Sequence, residues 1–595
     1  MAKELFRNIP NKVQDLLKDV KSGKIGLPDL QRPFVWKDSK VRDLLDSMMK
    51  GYPIGYVMLW SSPEDYANKG HIGTDKKDYE QPEDLVIDGQ QRLTALLAAL
   101  YGIEVKDKEY KKRNIKISFN PLTSEFAVWS QAYDRNPEWI SVVSSVFKAR
   151  DEHDKSAVSK LRKAFIKSIN ESRKKDGKEE LTDDEEVIIE DNINDLLALD
   201  DYTLPTLKIR SDANEEDVAD IFVRVNSGGQ NLTEKNFIET LLAVYDNDVH
   251  DKIDKFCSSS RTKADGTSYN LIIDVDPGHL IRIAVGYGFR RARLKYAYML
   301  LRGKNLETRE IKSEEREKNL EIFKNALDVA TNLQNWHAFL NIFGEAGYLT
   351  GDMVASENAV VFCYVLYLIG KFDYKVKSDK LIKLMRKWIF MATATSFYTG
   401  STETAVEKQF ADMRSIKNAK EFVALIEQEI NNRLTKDFFE VTLPKEMATS
   451  STQSPAWFSY IASLNILGTP ILFGTTPLSK YLLPGSSGTK KAVDKHHLFP
   501  KNYLPTIGIE DDRDRNQIAN FAYVDYPTNI SITDTAPNIY IKELKELYGT
   551  KKFAEMSKQN ALPENFEDMD YFEFLAARRV LMAKKVKEAF DALSV

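Results

Sequence analysis

Cysteine is almost missing from this chain: 595 residues contain two, Cys257 and Cys363. Two thiols cannot staple a chain of this length or make up a four-thiolate zinc site, so a disulfide scaffold and a Cys-based zinc cluster are both excluded. Long apolar runs are absent too, and none approaches the roughly 20 residues a bilayer-spanning helix needs. Met1-Ala2-Lys3-Glu4 does not begin a secretory signal, and a cytoplasmic location is expected. Charge of one sign is not dominant either. A net charge of −5 argues against indiscriminate coating of nucleic acid, although a local basic patch can still bind it. Gly-x-x-x-x-Gly-Lys-Ser/Thr does not occur, so any nucleotide site is not a P-loop.

What is present is the composition of a globular protein, 43% hydrophobic and 29% charged, and the length calls for several cores. Apolar spacing predicts a helix over 13–20 that Gly23 breaks, buried strands at 55–60 and 84–87, and a helix over 93–100. Residues 115–119 and 126–129 read as a hairpin across Asn120-Pro121. The stretch 151–200 is charge-rich and helical, with 174–186 expected as a solvated loop. Helical spacing dominates 241–433, 449–455 is a linker candidate, 484–488 a flexible Gly/Ser loop, and 571–590 a closing helix. The expected fold class is multidomain α+β, predominantly helical, with domains at 1–240, 241–445 and 446–595.

Of seven histidines, two adjoin in Val493-Asp494-Lys495-His496-His497-Leu498-Phe499-Pro500. The other five, His71, His153, His250, His279 and His337, are scattered without a ligand partner at useful spacing and read as structural or surface residues. Neighbours on an extended backbone point to opposite faces, so one imidazole can hold a metal while the other faces a substrate. Asn520 follows, then the alternating Phe521-Ala522-Tyr523-Val524, then Asn529. Phosphodiester cleavage needs a water deprotonated near neutral pH and a cation at the phosphate. A neutral imidazole suits the first task. The layout resembles the HNH nucleases, whose ββα-metal fold is a hairpin leading into a helix, and Asn529-Ile530-Ser531, Ala536-Pro537 and Tyr540 extend the likeness. The resemblance implies His497 as the base, and His496 with Asn529 as ligands of Mg²⁺ or another divalent ion such as Mn²⁺. It also implies Asn520 as a brace of the inter-strand loop and Asp494 as a support for His496. No histidine follows His497, so the third letter of H-N-H is Asn here. Taken as a bare dipeptide, His496-His497 also reads as an ordinary loop pair with turn-forming asparagines.

Three further stretches carry chemistry. Leu27-Pro28-Asp29-Leu30-Gln31-Arg32-Pro33-Phe34-Val35-Trp36 gathers amide, guanidinium and aromatic groups, a mixture that suits a nucleotide or a DNA backbone. Asp88-Gly89-Gln90-Gln91-Arg92 lies between a strand and a helix, where glycine permits close approach and free N–H groups favour an anion. In it Arg92 can fork onto phosphate, and Asp88 can hold a cation or orient a water. Phe222-Val223-Arg224-Val225-Asn226-Ser227-Gly228-Gly229 offers an anion-binding turn. Alone, the second stretch also reads as a strand-turn-helix with Asp as a cap, and Phe34 and Trp36 as core.

In this order the three resemble the N-terminal ParB-like α/β domain of GmrSD-type, modification-dependent (type IV) restriction enzymes and their relatives, including the SspE proteins. The resemblance implies that Asp88, Gly89, Gln90, Gln91 and Arg92 bind and hydrolyse an NTP, GTP or ATP, with Asp88 and Arg92 catalytic. It sets Gln31, Arg32 and Pro33 near the nucleotide or the DNA, with Arg224 and Asn226 supporting the pocket. Between the two modules, 287–296 is the densest basic-aromatic stretch. On a helix, Arg290 and Arg293 would share a face able to track phosphates, or simply a solvated one. The expectation is a phage-defence DNA endonuclease acting on modified DNA, regulated by NTP, with no membrane partner and a homodimer left open. Two rivals remain: a sensing domain that hydrolyses nothing, and a regulator with a degenerate HNH fold.

Overall fold

The computed structural model describes residues 4–26, 34–61, 82–107, 111–151, 156–213, 217–218, 221–222, 225, 247–301, 303, 313–483 and 493–594. It is mixed α/β and predominantly helical, and divides into two compact units, Met1–Asp254 and Lys255–Val595. Among the described residues no helix is long and apolar enough to cross a membrane. Gln31, Arg32, Pro33, Arg224, Asn226 and the 484–488 loop lie outside the described residues.

The first unit is built on a five-stranded sheet. Strands β1 (Phe6–Lys12), β2 (Ile25–Gly26), β3 (Val57–Ser61), β4 (Asp84–Asp88) and, late in the chain, Thr203–Ile209 are ordered β1, Thr203–Ile209, β3, β4, β2. Thr203–Ile209 is antiparallel to β1 and parallel to β3, while β4 is antiparallel to β3 and parallel to β2. Helix α1 (Val13–Ser22) buries Val13, Leu16, Leu17 and Val20, one stripe at helical spacing, and Gly23 in the left-handed region ends it. Helix α2 is Asp38–Met49, and α3 is Gln90–Tyr101. In α3 every residue from Leu93 to Leu100 is buried. A helix apolar on all sides belongs inside, and α3 shares its core with α1, α2 and the sheet. This anchors the β4–α3 turn, which holds Asp88-Gly89-Gln90-Gln91-Arg92.

The stretch expected as a loop over 174–186 is shorter than that. One helix runs to Lys175 and the next begins at Asp183. The signal passed over is a capping box: the Thr182 hydroxyl accepts from Glu185 N at 3.2 Å, and the Glu185 carboxylate accepts from Thr182 N at 2.8 Å. Acidic residues 183–186 therefore fill a first helical turn, where the helix dipole favours them.

The second unit is a helical body carrying one small hairpin. Helix Pro277–Phe289 packs on Ser313–Thr331 and on Glu357–Leu368, whose residues 359–368 are all buried. Helix Pro455–Ile466 packs on Ser378–Ala394 and on the closing helix Tyr571–Ala592. The basic stretch is not one helical face: Arg290 ends Pro277–Phe289 at φ 56° and the next helix starts at Leu294. Arg290 forms an ion pair with Asp373.

Candidate active sites

In the first unit the site grows from the end of β4. Gly89 adopts φ 95°, and a Cβ there would meet Val57 Cγ2 at 2.9 Å, so both conformation and space require glycine. The turn aims Asp88 and Arg92 toward the segment 55–57. Asp88 Oδ1 accepts from Gly89 N at 2.7 Å, and the Tyr56 side chain hydrogen-bonds to the same carboxylate. Arg92 Nη1 donates to Tyr56 O at 2.6 Å. A Cβ on Gly55, at φ 94°, would lie 2.8 Å from Arg92 Nη2. Tyr56 and Gly55 are thus part of this site, and sequence reasoning missed them; a glycine two residues ahead of a buried strand was the available signal. Burial raises the Asp88 pKa, against the opposing effects of the Gly89 N–H, Arg92 and Tyr56. Burial also lowers that of Arg92, with Asp88 opposing.

Each glutamine makes a hydrogen bond within the fold. Gln90 is buried, and its Nε2 donates to Val86 O at 2.8 Å. Gln91 Oε1 accepts from Val35 N at 3.1 Å, tying this turn to the chain just after Gln31-Arg32-Pro33. Phe34 is core, and Trp36 packs partly buried beside it.

In the second unit, Val493–His497 and Phe521–Asp525 pair antiparallel, with His496 opposite Ala522 and His497 opposite Phe521. The helix Tyr526–Ile532 follows at once, with Asp525 capping Thr528 N at 2.8 Å. It carries Asn529 back to the first strand, where His496 Nδ1 lies 2.8 Å from Asn529 Oδ1. Asp494 reaches Asn529 Nδ2 at 3.5 Å and so supports the asparagine, not His496 as expected.

His497 faces the other way. Its Nε2 lies 3.0 Å from Asn516 Oδ1, and its ring packs edgewise on Phe521. Asn516 Nδ2 donates to Asp512 O at 2.8 Å. That fixes the amide so that its oxygen meets the imidazole and must accept from Nε2–H, leaving the lone pair on Nδ1. Asn516 was not singled out in the sequence, where it is one polar residue in a charged loop. Asn520 is fully buried: Oδ1 accepts from Phe499 N at 2.8 Å and Nδ2 donates to Phe499 O at 3.0 Å. The buried Arg578 of the closing helix holds Ala519 O at 2.7 Å, and Tyr540 Oη donates to Leu498 O at 2.6 Å. The turn carrying the histidines is therefore fixed from three sides.

Residues 13–243 match the family model described as the GmrSD restriction endonuclease N-terminal domain. Over nearly its whole length the chain is also similar to an uncharacterized protein of Methanocaldococcus jannaschii. The two are 24% identical over 602 residues, covering 97% of this chain and 95% of the relative. The GmrSD match takes in the β4–α3 turn and the 55–57 segment, and stops well before the hairpin.

Among the described residues no three His, Cys, Asp or Glu side chains converge as a metal set. A metal at the hairpin would therefore rely on an amide oxygen. The residues fit that role. Two ligand atoms about 2.1 Å from one cation and at right angles to each other lie about 3 Å apart, close to the 2.8 Å between His496 and Asn529. An amide oxygen cannot donate, so without a cation Nδ1 must carry the proton, which strands the lone pair of Nε2. That Nε2 is buried and has no hydrogen-bond partner among the described residues. Burial, assisted by the neighbouring His497, pushes the His496 pKa down to about 4, so the imidazole is neutral and free to bind a metal at pH 7.

Proposed function

We propose that this chain is a DNA endonuclease of the modification-dependent restriction type, cutting with its hairpin module under control of an NTP site in its first unit. The observation that carries this reading is the convergence of His496 and Asn529 on one side of the strand Val493–His497, with His497 on the other. A divalent cation held by His496 Nδ1 and Asn529 Oδ1 would neutralise phosphate charge and stabilise the leaving oxygen. His497, with Nε2–H held by Asn516, presents Nδ1 to take a proton from the attacking water. The P–O bond to water forms, the P–O bond to the leaving oxygen breaks, and the proton rests on His497. Asn520 keeps the turn rigid, so that the base does not drift by the ångström that costs about a hundredfold in rate.

In the first unit, the half-engaged guanidinium of Arg92 and the start of α3 suit the phosphates of GTP or ATP, and Asp88 suits their cation or the attacking water. DNA as substrate accords with the GmrSD restriction endonuclease description of 13–243. The test is plasmid nicking with Mg²⁺ on matched unmodified and phage-modified DNA, with and without NTP. Cleavage lost in His497→Ala and dependent on modification supports the reading, and His497-independent nicking overturns it. Phosphate release by the wild type, abolished in Asp88→Ala, separates an NTPase from a sensor that hydrolyses nothing.

A further inference from the structure

Beside His497 lies an ion pair with no evident part in holding the fold. Lys501 follows the Leu498-Phe499-Pro500 turn, and its Nζ sits 3.2 Å from Asp512 Oδ1, with side-chain exposures of 43% and 68%. Asp512 also receives Arg515 Nη2 at 2.8 Å. Its main-chain oxygen accepts from Asn516, whose amide oxygen holds the His497 ring. The ammonium is thus one residue removed from the group that orients the imidazole. Exposed pairs of this kind are worth about 0–1 kcal/mol, so the pair opens easily, and Asp512 would keep Arg515 as its counter-ion. A phosphodiester set for attack at His497 brings a negative charge to this edge, where an ammonium with three rotatable donors is well suited to receive it.

We infer that Lys501 contacts the DNA backbone phosphate at the cleavage site, and that Asp512 holds Lys501 until the phosphate displaces it. The inference rests on the nuclease reading above. It assigns opposite effects to the two partners: Lys501 attracts substrate, whereas Asp512 competes with it.

The experiment measures His497-dependent nicking of supercoiled plasmid by the full chain at a series of DNA and NaCl concentrations, for wild type, Lys501→Ala, Lys501→Arg and Asp512→Asn. Lys501→Ala should raise KM on the order of tenfold and flatten the logarithmic salt dependence by about one unit, as expected for one lost phosphate contact. Lys501→Arg should retain most of the affinity, and Asp512→Asn should lower KM. Unchanged KM and salt slope in Lys501→Ala, or a raised KM in Asp512→Asn, would overturn the assignment while leaving the nuclease reading intact. Absence of nicking by the wild type would remove that reading and this inference together. Because Asp512→Asn acts in the opposite direction, the test stays decisive should Lys501→Ala fold poorly.

Discussion

His496 Nδ1 and Asn529 Oδ1 meet at 2.8 Å across 33 positions of sequence, brought together by one antiparallel pair and the short helix that follows it. Two lone-pair carriers at that separation ask for a proton or a cation between them. Divalent metal should therefore raise the melting temperature of the wild type, because a ligand that binds only the folded state at a hundred times its Kd adds about 2.7 kcal/mol. The gain should vanish in His496→Ala/Asn529→Ala. Calorimetry with Mn²⁺ and Mg²⁺ decides, and an equal shift in the double variant would exclude the pair as ligands.

Asn516 fixes which imidazole nitrogen of His497 is free. Asn516→Ala should lower kcat by about ten- to a hundredfold through misorientation of the ring. KM should stay near wild type and stability within about 0.5 kcal/mol, as for a partly exposed site. Asn516→Asp keeps an acceptor toward Nε2–H and should recover most of the rate. A variant that changes KM alone would assign Asn516 to substrate binding instead.

Sequence made some of this legible and left the rest hidden for a physical reason. The stripe Val13, Leu16, Leu17, Val20 showed itself because one-sided burial leaves a period in the chain, and β4 because burial on both faces leaves a short apolar run. His496, His497, Asn520 and Asn529 stood out by residue type and spacing. Tyr56 did not, since its contact with Arg92 is through a main-chain oxygen that any residue would supply. The hydrogen bond of Gln90 to Val86 O was hidden as well, because it depends on the path of β4, which a pentapeptide does not reveal. The break at Arg290 was hidden too, because arginine is an unusual residue at φ 56°.

Asn520 makes two hydrogen bonds to one residue, Phe499, from a fully buried position. Asn520→Ala leaves a buried N–H and C=O unmet, at about 1–3 kcal/mol each. A loss of about 2–4 kcal/mol in urea unfolding is expected, along with loss of cleavage. Asn520→Asp retains the acceptor for Phe499 N but sets its second oxygen against Phe499 O and Arg515 O in a buried position, so at neutral pH it should lose at least as much. An alanine variant as stable as wild type would show that the turn does not depend on this side chain.

Asp88 gives a pH signature of opposite sign to most carboxylates. Burial raises its pKa in the folded state above the ordinary 3.8. Below that value both folded and unfolded chains hold the proton, and the folded state bears no penalty. As pH rises past it, the unfolded chain releases the proton first, so stability falls until the folded value is also passed. Asp88→Asn never bears the buried charge. It should therefore melt above wild type at neutral pH, and the difference should close as the pH drops below the ordinary aspartate value. NTP hydrolysis should be lost in the same variant, because the amide cannot take a proton from water or replace a carboxylate at a cation. Melting curves of the full chain at several pH values, paired with phosphate release, test both halves. A variant less stable than wild type at pH 7 would mean that the Gly89, Arg92 and Tyr56 interactions outweigh desolvation, making Asp88 a structural anchor of the β4–α3 turn.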